Sequence, residues 1–228
     1  MISFLISAIK IIFLLGFLIG IHETGHFLIA KLCKVRVNEF AIGFGPVIWK
    51  KQGKETKYEL RLIPLGGFVN MEGEAEQSEK EGSFTKASIP RRIAIVAAGA
   101  LVNIIFAIIV YFILAMTVRG DLTNAVVGNR VLDADNFENR LYFASYNTKE
   151  FMLSIAESVK QLFTGKVSSA ELVGPVGISE VVAKTNGFRE FIYILSAISI
   201  SLGVTNLLPF PPLDGGKIVQ YSWRCRLW

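Results

Sequence analysis

The sequence predicts an α-helical integral membrane protein with three spans and a small β-hairpin element associated with the membrane. Of its 228 residues, 52% are hydrophobic and only 19% are charged, and the mean hydropathy is +0.47. Soluble domains are rarely so apolar. Three segments approach the roughly 20 apolar residues that a spanning helix needs. Between the first two lies a β-rich loop at about residues 35–72.

The predicted spans cover about residues 2–32, 93–118 and 191–208. We expect the first span to continue through the polar residues 20–30, because nothing before residue 33 breaks a helix. No cleavage-site pattern follows it, so a removable signal peptide is not expected. The second span contains small residues at 97–100, which favour close helix packing in a membrane.

Basic residues predict the orientation. Residues 31–92 carry twelve Lys or Arg, whereas residues 119–189 carry eight, balanced by eight acidic residues. The positive-inside rule therefore predicts that the first loop and the C-terminus lie in the cytoplasm. These charges flank membrane ends without interleaved aromatic residues, so no nucleic-acid partner is expected.

The loop at residues 35–72 is predicted to contain a hairpin. The segments "VIWKKQ" and "KYELRLI" flank a polar turn, and we expect "GFGP" and "PLGG" to break the strands. The glycines indicate either close backbone approach or an edge that accepts another strand. A plain cytoplasmic loop made of hairpins explains the residues equally well.

The second loop, between the second and third spans, contains fewer sequence patterns that predict structure. Residues 131–150 lack strong periodicity and are predicted to be a linker, whereas residues 151–163 place apolar side chains on one face. The latter segment predicts an amphipathic helix on the membrane surface. The two cysteines, Cys33 and Cys225, fall on the predicted cytoplasmic side, so we expect no disulfide and assign both as structural.

The sequence "HETGH" contains the only two histidines of the chain. His22 and His26 are four residues apart, so they share one face of a helix and can hold one ion. Zinc suits imidazole nitrogens, and Glu23 lies where it can take a proton from a zinc-activated water. The alternative is a helix end with two satisfied histidines and Glu23 paired with Lys31 or an arginine. We favour the metal, because three ionisable groups in a lipid-spanning helix are costly without a function.

A catalytic zinc needs a third protein ligand, which must here be a carboxylate or a cysteine. The candidate is Asp214 in "TNLLPFPPLDGGK", after a proline-broken run at the end of the third span. Such backbone survives at membrane depth only where it lines a cavity or is packed in protein. We expect Gly215 and Gly216 to let the chain turn directly after the carboxylate. Asn206 can bond freed carbonyls or a substrate.

Asn103 lies a few residues inside the second span. A polar side chain at that depth needs a partner. That partner is either a neighbouring helix or a peptide substrate.

Together, "HETGH" and "NLLPFPPLDGG" resemble the site-2 protease family of intramembrane zinc metalloproteases, most of all its bacterial branch of regulator-of-sigma-E proteases. The segments "FGP", "IPLGGFVNMEGE", "RRIAIVAAGALVN" and "GPVGI" agree in the expected order. The resemblance implies a three-span metalloprotease core in which zinc is bound by His22, His26 and Asp214, with Glu23 as catalytic base.

The resemblance also implies what this core acts on and where. The β element at 35–72 would re-enter the membrane and receive a substrate in extended form, with Asn103 and Asn206 as candidates for substrate contact. The substrates would be transmembrane segments of single-span proteins, cleaved in the bilayer during regulated intramembrane proteolysis. The location would be the bacterial cytoplasmic (inner) membrane, with the active site near the cytoplasmic side.

Three departures from the family pattern matter. Ala100 replaces the proline that the family usually has before the asparagine at position 103. The chain ends fourteen residues after Asp214, where relatives continue into a further helix. Only some 30 residues separate the second span from the amphipathic segment, too few for a PDZ domain. We therefore expect a single peptidase core over residues 1–228 without a complete PDZ domain. The alternative function is an impaired or truncated relative that binds transmembrane segments without cleaving them.

Overall fold

The computed structural model describes residues 2–76, 78–164, 175–185 and 187–224. The chain forms two compact units. One comprises Met1–Ile104 and Leu202–Trp228, and the other comprises Ile105–Ser201. Cys33 is a free thiol, and Cys225 lies outside the described residues.

Within the described residues, three helices are long and apolar enough to cross a membrane: α1 (Ile2–Leu32), α2 (Ile89–Met116) and α5 (Phe188–Asn206). The predicted three-span fold class is confirmed. Helix α2 begins four residues before the predicted span, with Pro90 in its first turn. A proline is tolerated there because the first N–H groups of a helix need no intrahelical partner.

The helices of the first unit approach each other closely at small residues. A Cβ on Gly25 of α1 would lie 2.7 Å from the carbonyl oxygen of Ala98. A Cβ on Gly203 would lie 2.6 Å from the carbonyl oxygen of Ala100. Backbone contact of this kind stabilises helix pairs in a membrane, where no hydrophobic effect drives their association.

Strands β1 (Val37–Gln52) and β2 (Lys57–Met71) form the predicted antiparallel hairpin. The predicted strand breaks at "GFGP" and "PLGG" are wrong, because both strands continue through them. The chain bends there instead, and Gly43 and Gly45 adopt φ values of +92° and +80° that favour glycine.

These bends fold the hairpin back on itself. Residues 39–42 of β1 have partners on two sides, residues 67–70 and residues 57–60 of β2. Within the described residues, the segment 67–71 has strand partners only in β1. The hairpin therefore presents residues 67–71 as an edge.

The hairpin packs along α1. A Cβ on Gly16 would lie 2.3 Å from the carbonyl oxygen of Pro64, so only glycine permits this approach. Near the end of α1, the ring of Phe27 lies 5.0 Å from that of Phe40 and 6.0 Å from that of Tyr58. The hairpin is thus held against the helix that carries both histidines.

A buried apolar cluster joins the elements of the first unit, including α6 (Asp214–Arg224). Its buried members come from α1, the connection between α1 and β1, both strands, the 3₁₀ turn Phe84–Lys86 and α2: Ala30, Val35, Val37, Met71, Phe84, Ile95 and Val96. Ile218 and Tyr221 of α6 pack against it. This packing fixes the start of α6 relative to α1.

The second unit contains a short hairpin of β3 (Val126–Val127) and β4 (Arg130–Val131), then α3 (Phe137–Phe163) and α4 (Pro175–Ala183). The predicted linker at 131–150 is wrong, because α3 begins within it. The Asn136 side chain accepts a hydrogen bond of 2.9 Å from the N–H of Asn139, as a helix N-cap does.

Candidate metal centre

Helix α1 brings the two histidines together. It continues unbroken to Leu32, so His22 and His26 lie one turn apart on the same face. Their Nε2 atoms are 3.1 Å apart. The alternative pairing of Glu23 with Lys31 is not observed, because Lys31 pairs with Glu55.

Asp214 joins them from the other end of the unit. Its Oδ2 atom lies 3.1 Å from Nε2 of His22 and 3.3 Å from Nε2 of His26. The expected turn after Asp214 is wrong, since Asp214 begins α6 and the two glycines occupy its first turn. A Cβ on Gly215 would lie 2.2 Å from the carbonyl oxygen of Leu208. Glycine therefore lets the proline-containing segment fold against the helix start.

The spacing of the three donor atoms fits one zinc ion. Tetrahedral zinc with ligands at about 2.0–2.1 Å has neighbouring ligand atoms about 3.3–3.4 Å apart. The three distances between the donor atoms are 3.1, 3.1 and 3.3 Å. Two imidazoles and a carboxylate also match the ligand types of catalytic zinc sites.

Gly99 of α2 keeps one side of this centre open. A Cβ at this position would lie 2.5 Å from Nε2 of His26 and 2.8 Å from Nε2 of His22. Any side chain would therefore enter the space between the two donor atoms. The sequence predicted only close packing for this glycine, because its neighbours are also small.

A hydrogen bond orients His26. Its Nδ1 lies 2.8 Å from the carbonyl oxygen of Ile95, which can only accept, so Nδ1 carries the proton and donates. The lone pair of Nε2 is then directed towards the other two donor atoms, as in zinc sites with a supporting carbonyl. Nδ1 of His22 is buried and has no hydrogen-bond partner among the described residues.

The centre opens into a cavity of about 310 Å³. Glu23 lines this cavity beside the two histidines, and its Cγ lies 3.0 Å from the position of a Cβ on Gly67. Strand β2 forms much of the remaining wall, through Gly67, Phe68, Val69 and Met71. The proposed base, the donor atoms and the edge of the hairpin therefore share one space.

Helix α6 contributes two charged residues to this cavity, Asp214 and Lys217. Burial raises the pKa of Asp214, but the two imidazole groups beside its carboxylate outweigh burial and hold the pKa well below its usual range. The carboxylate is thus ionised at neutral pH, as a metal ligand must be. Lys217 pairs with Glu74 at 3.1 Å.

The two asparagines lie elsewhere. Asn103 is fully buried in α2, and Asn206 is half-buried at the end of α5. Neither lines the cavity at the metal centre. The structure therefore brings together four of the six predicted site residues, His22, Glu23, His26 and Asp214.

Comparison with known proteins identifies relatives along almost the whole chain. The model of peptidase family M50 matches residues 10–226. A protein of Clostridium acetobutylicum named as a zinc metalloprotease is 31% identical over 285 residues, covering 92% of this chain and 84% of that protein. One of Fusobacterium nucleatum with the same type of name is 29% identical, covering 95% of this chain and 87% of that protein. The regulator of sigma-E protease RseP of Escherichia coli is 43% identical over 118 residues, covering 50% of this chain and 26% of that protein.

Proposed function

The chain belongs to peptidase family M50 and is an intramembrane zinc protease, and from this premise we propose that it cleaves transmembrane segments of single-span membrane proteins. In this proposal His22, His26 and Asp214 bind the zinc and Glu23 is the catalytic base. The observation that carries the assignment is the spacing of the three donor atoms, 3.1 to 3.3 Å, which suits one tetrahedral ion.

The position of Glu23 supports its proposed role as the base. It lines the same cavity as His22, His26 and Asp214 but is not one of the three residues whose donor atoms lie close enough together to bind one ion. Bound zinc supplies Lewis acidity, which polarises a peptide carbonyl and makes water a nucleophile near neutral pH. Glu23 takes a proton from the attacking water and later gives it to the amine that leaves. The carbonyl of Ile95 keeps His26 in the tautomer that binds metal.

The hairpin edge supports the proposal that a transmembrane helix is the substrate. An intact helix shields its carbonyls with internal hydrogen bonds, so the cleaved stretch must unwind. Residues 67–71 form an edge of the hairpin, and Gly67, Phe68 and Val69 line the cavity. A substrate strand paired with this edge would be held extended beside the metal centre. Asn103 and Asn206 remain proposed substrate contacts, and each would require local movement to reach the cavity.

We place the active site near the cytoplasmic side of a bacterial inner membrane. His26 precedes the end of α1 by six residues, or about 9 Å along the helix. Lys31, Lys34 and Arg36 follow directly, and basic residues at a membrane end favour the cytoplasm.

The test uses purified protein reconstituted with a tagged single-span substrate. We expect cleavage by the wild type that is abolished by Glu23→Gln and by a chelator, and restored by zinc after chelation. Glu157→Gln, an exposed carboxylate of α3, is the matched control and should cleave normally. Cleavage that survives Glu23→Gln contradicts the role of Glu23. Stoichiometric zinc without turnover in the wild type would favour the alternative, a protein that binds transmembrane segments without cleaving them.

A further inference from the structure

A second cavity lies in the first unit, where the end of α1 and the start of α2 meet the hairpin turn. Its volume is about 380 Å³, and it lies apart from the metal centre, with no lining residue in common. Four cationic and two acidic side chains line it: Lys34, Arg36, Lys86, Arg91, Glu55 and Glu81. Cations therefore outnumber carboxylates two to one.

Ion pairs already neutralise part of this set. Glu55 pairs with Lys31 and, at 3.4 Å, with Arg36. Lys86 pairs with Glu79 at 3.3 Å. Lys34, Arg91 and Glu81 make no ion pair within the part of the chain that the structure describes. Two cations and one carboxylate therefore face the cavity outside any ion pair, and the cations are in excess.

The cavity lies at the boundary of the predicted hydrocarbon layer. Leu28 and Leu32, in the last two turns of α1, are 51% and 75% exposed. Lys34 follows two residues later, and Arg91 lies in the first turn of α2. The N-terminal end of α2 adds the positive end of a helix dipole at the same level. Apolar side chains that suit lipid tails therefore adjoin cations that suit a phosphate.

We propose that this cavity binds the phosphate of an anionic phospholipid headgroup, with Lys34 and Arg91 as its principal contacts. Phosphate suits both side chains, since arginine offers a planar pair of donors and lysine a compact charge. Leu32, directly before the lining residue Cys33, and Leu28, one turn earlier on α1, are exposed. They favour a lipid over a soluble phosphate, because they provide a surface for acyl chains. Such basic pockets on the cytoplasmic side are a known type of anionic-lipid site.

The experiment is a lipid titration of the delipidated full chain in detergent, followed by native mass spectrometry. We expect one phosphatidylglycerol to bind at least tenfold more tightly than phosphatidylcholine. A cation near the membrane contributes about fivefold to such binding. Lys34→Gln with Arg91→Gln should therefore weaken phosphatidylglycerol binding about thirtyfold and phosphatidylcholine binding much less, because choline already balances the phosphate charge of the latter.

Lys50→Gln with Lys51→Gln is the matched control, because it removes the same charge from exposed positions of β1 outside the cavity. It should leave phosphatidylglycerol binding unchanged. Lys34→Arg with Arg91→Lys keeps both charges and should retain most of the affinity, which separates charge loss from misfolding. Equal weakening in both Gln pairs, or equal binding of the two lipids, overturns the proposal. Glycerol phosphate binding as tightly as phosphatidylglycerol overturns the choice of a lipid.

Discussion

Gly99→Ala tests how closely α2 must approach the metal centre. The added Cβ would lie 2.5 Å from Nε2 of His26 and 2.8 Å from Nε2 of His22. Since non-bonded heavy atoms pack at about 3.5–4.0 Å, His26 would have to move by about 1 Å. Zinc–ligand distances tolerate only about 0.2 Å. Mutating a residue that hydrogen-bonds to a metal ligand costs about 10–100-fold in metal affinity. Displacing a ligand itself should cost at least 100-fold.

The assay is zinc affinity by competition with a chromophoric chelator, together with substrate cleavage. Alanine favours a helix over glycine by about 1 kcal/mol, so a loss of zinc cannot come from helix propensity. The matched control is Gly20→Ala in α1, where the Cβ would meet only Cδ1 of Ile42 at 3.8 Å. This variant should bind zinc normally. Wild-type zinc affinity in Gly99→Ala would refute the reasoning.

Three further predictions concern the site and the hairpin. Asp214→Asn should lose zinc on dialysis while its circular dichroism stays unchanged, because an amide is a far weaker ligand than the carboxylate; full retention of zinc would count against Asp214 as a ligand. Gly67→Ala should lower turnover about tenfold or more with zinc content intact, because its Cβ would lie 2.9 Å from the carbonyl oxygen of Ala41 and 3.0 Å from Cγ of Glu23, so that β2 and Glu23 must shift. A parallel loss of zinc would contradict an effect confined to Glu23. The pKa of Glu72 is lowered from 4.5 to about 2, chiefly by the hydrogen bond from Ser78. The ionised Glu72 carboxylate therefore stabilises the fold above about pH 4.5, and this stabilisation is lost as the pH falls towards 2. Glu72→Gln should therefore melt below the wild type at pH 6 but close to it at pH 2, and a melting difference that grows on acidification would contradict this.

The grouping of His22, His26 and Asp214 was predictable because their chemistry is explicit in the sequence. His22 and His26 share a helix face by their spacing alone, and Asp214 is the carboxylate that follows the proline-broken segment. Gly99 was not predictable as part of the centre. Its contribution is empty space between two imidazoles, and that depends on how α2 crosses α1.

The wrong predictions of secondary structure have separate physical causes. The sequences "GFGP" and "PLGG" interrupt most strands, yet here the glycines only bend β1 and β2. Residues 39–42 of β1 pair with β2 on both sides, and this pairing keeps the strands together through the bends. Helix α3 begins at Phe137, where weak apolar periodicity hid it. Asn136, a good N-cap residue, was the available signal.

The distribution of the ligands along the chain has a consequence for biosynthesis. His22 and His26 are translated early, whereas Asp214 follows about 190 residues later. With the proposed ligands, a nascent polypeptide inserts its first helix carrying only two of the three that a catalytic zinc requires. On this assignment hydrolytic power would arise only when α6 docks, which would keep the emerging enzyme from attacking its own apolar segments at the translocon.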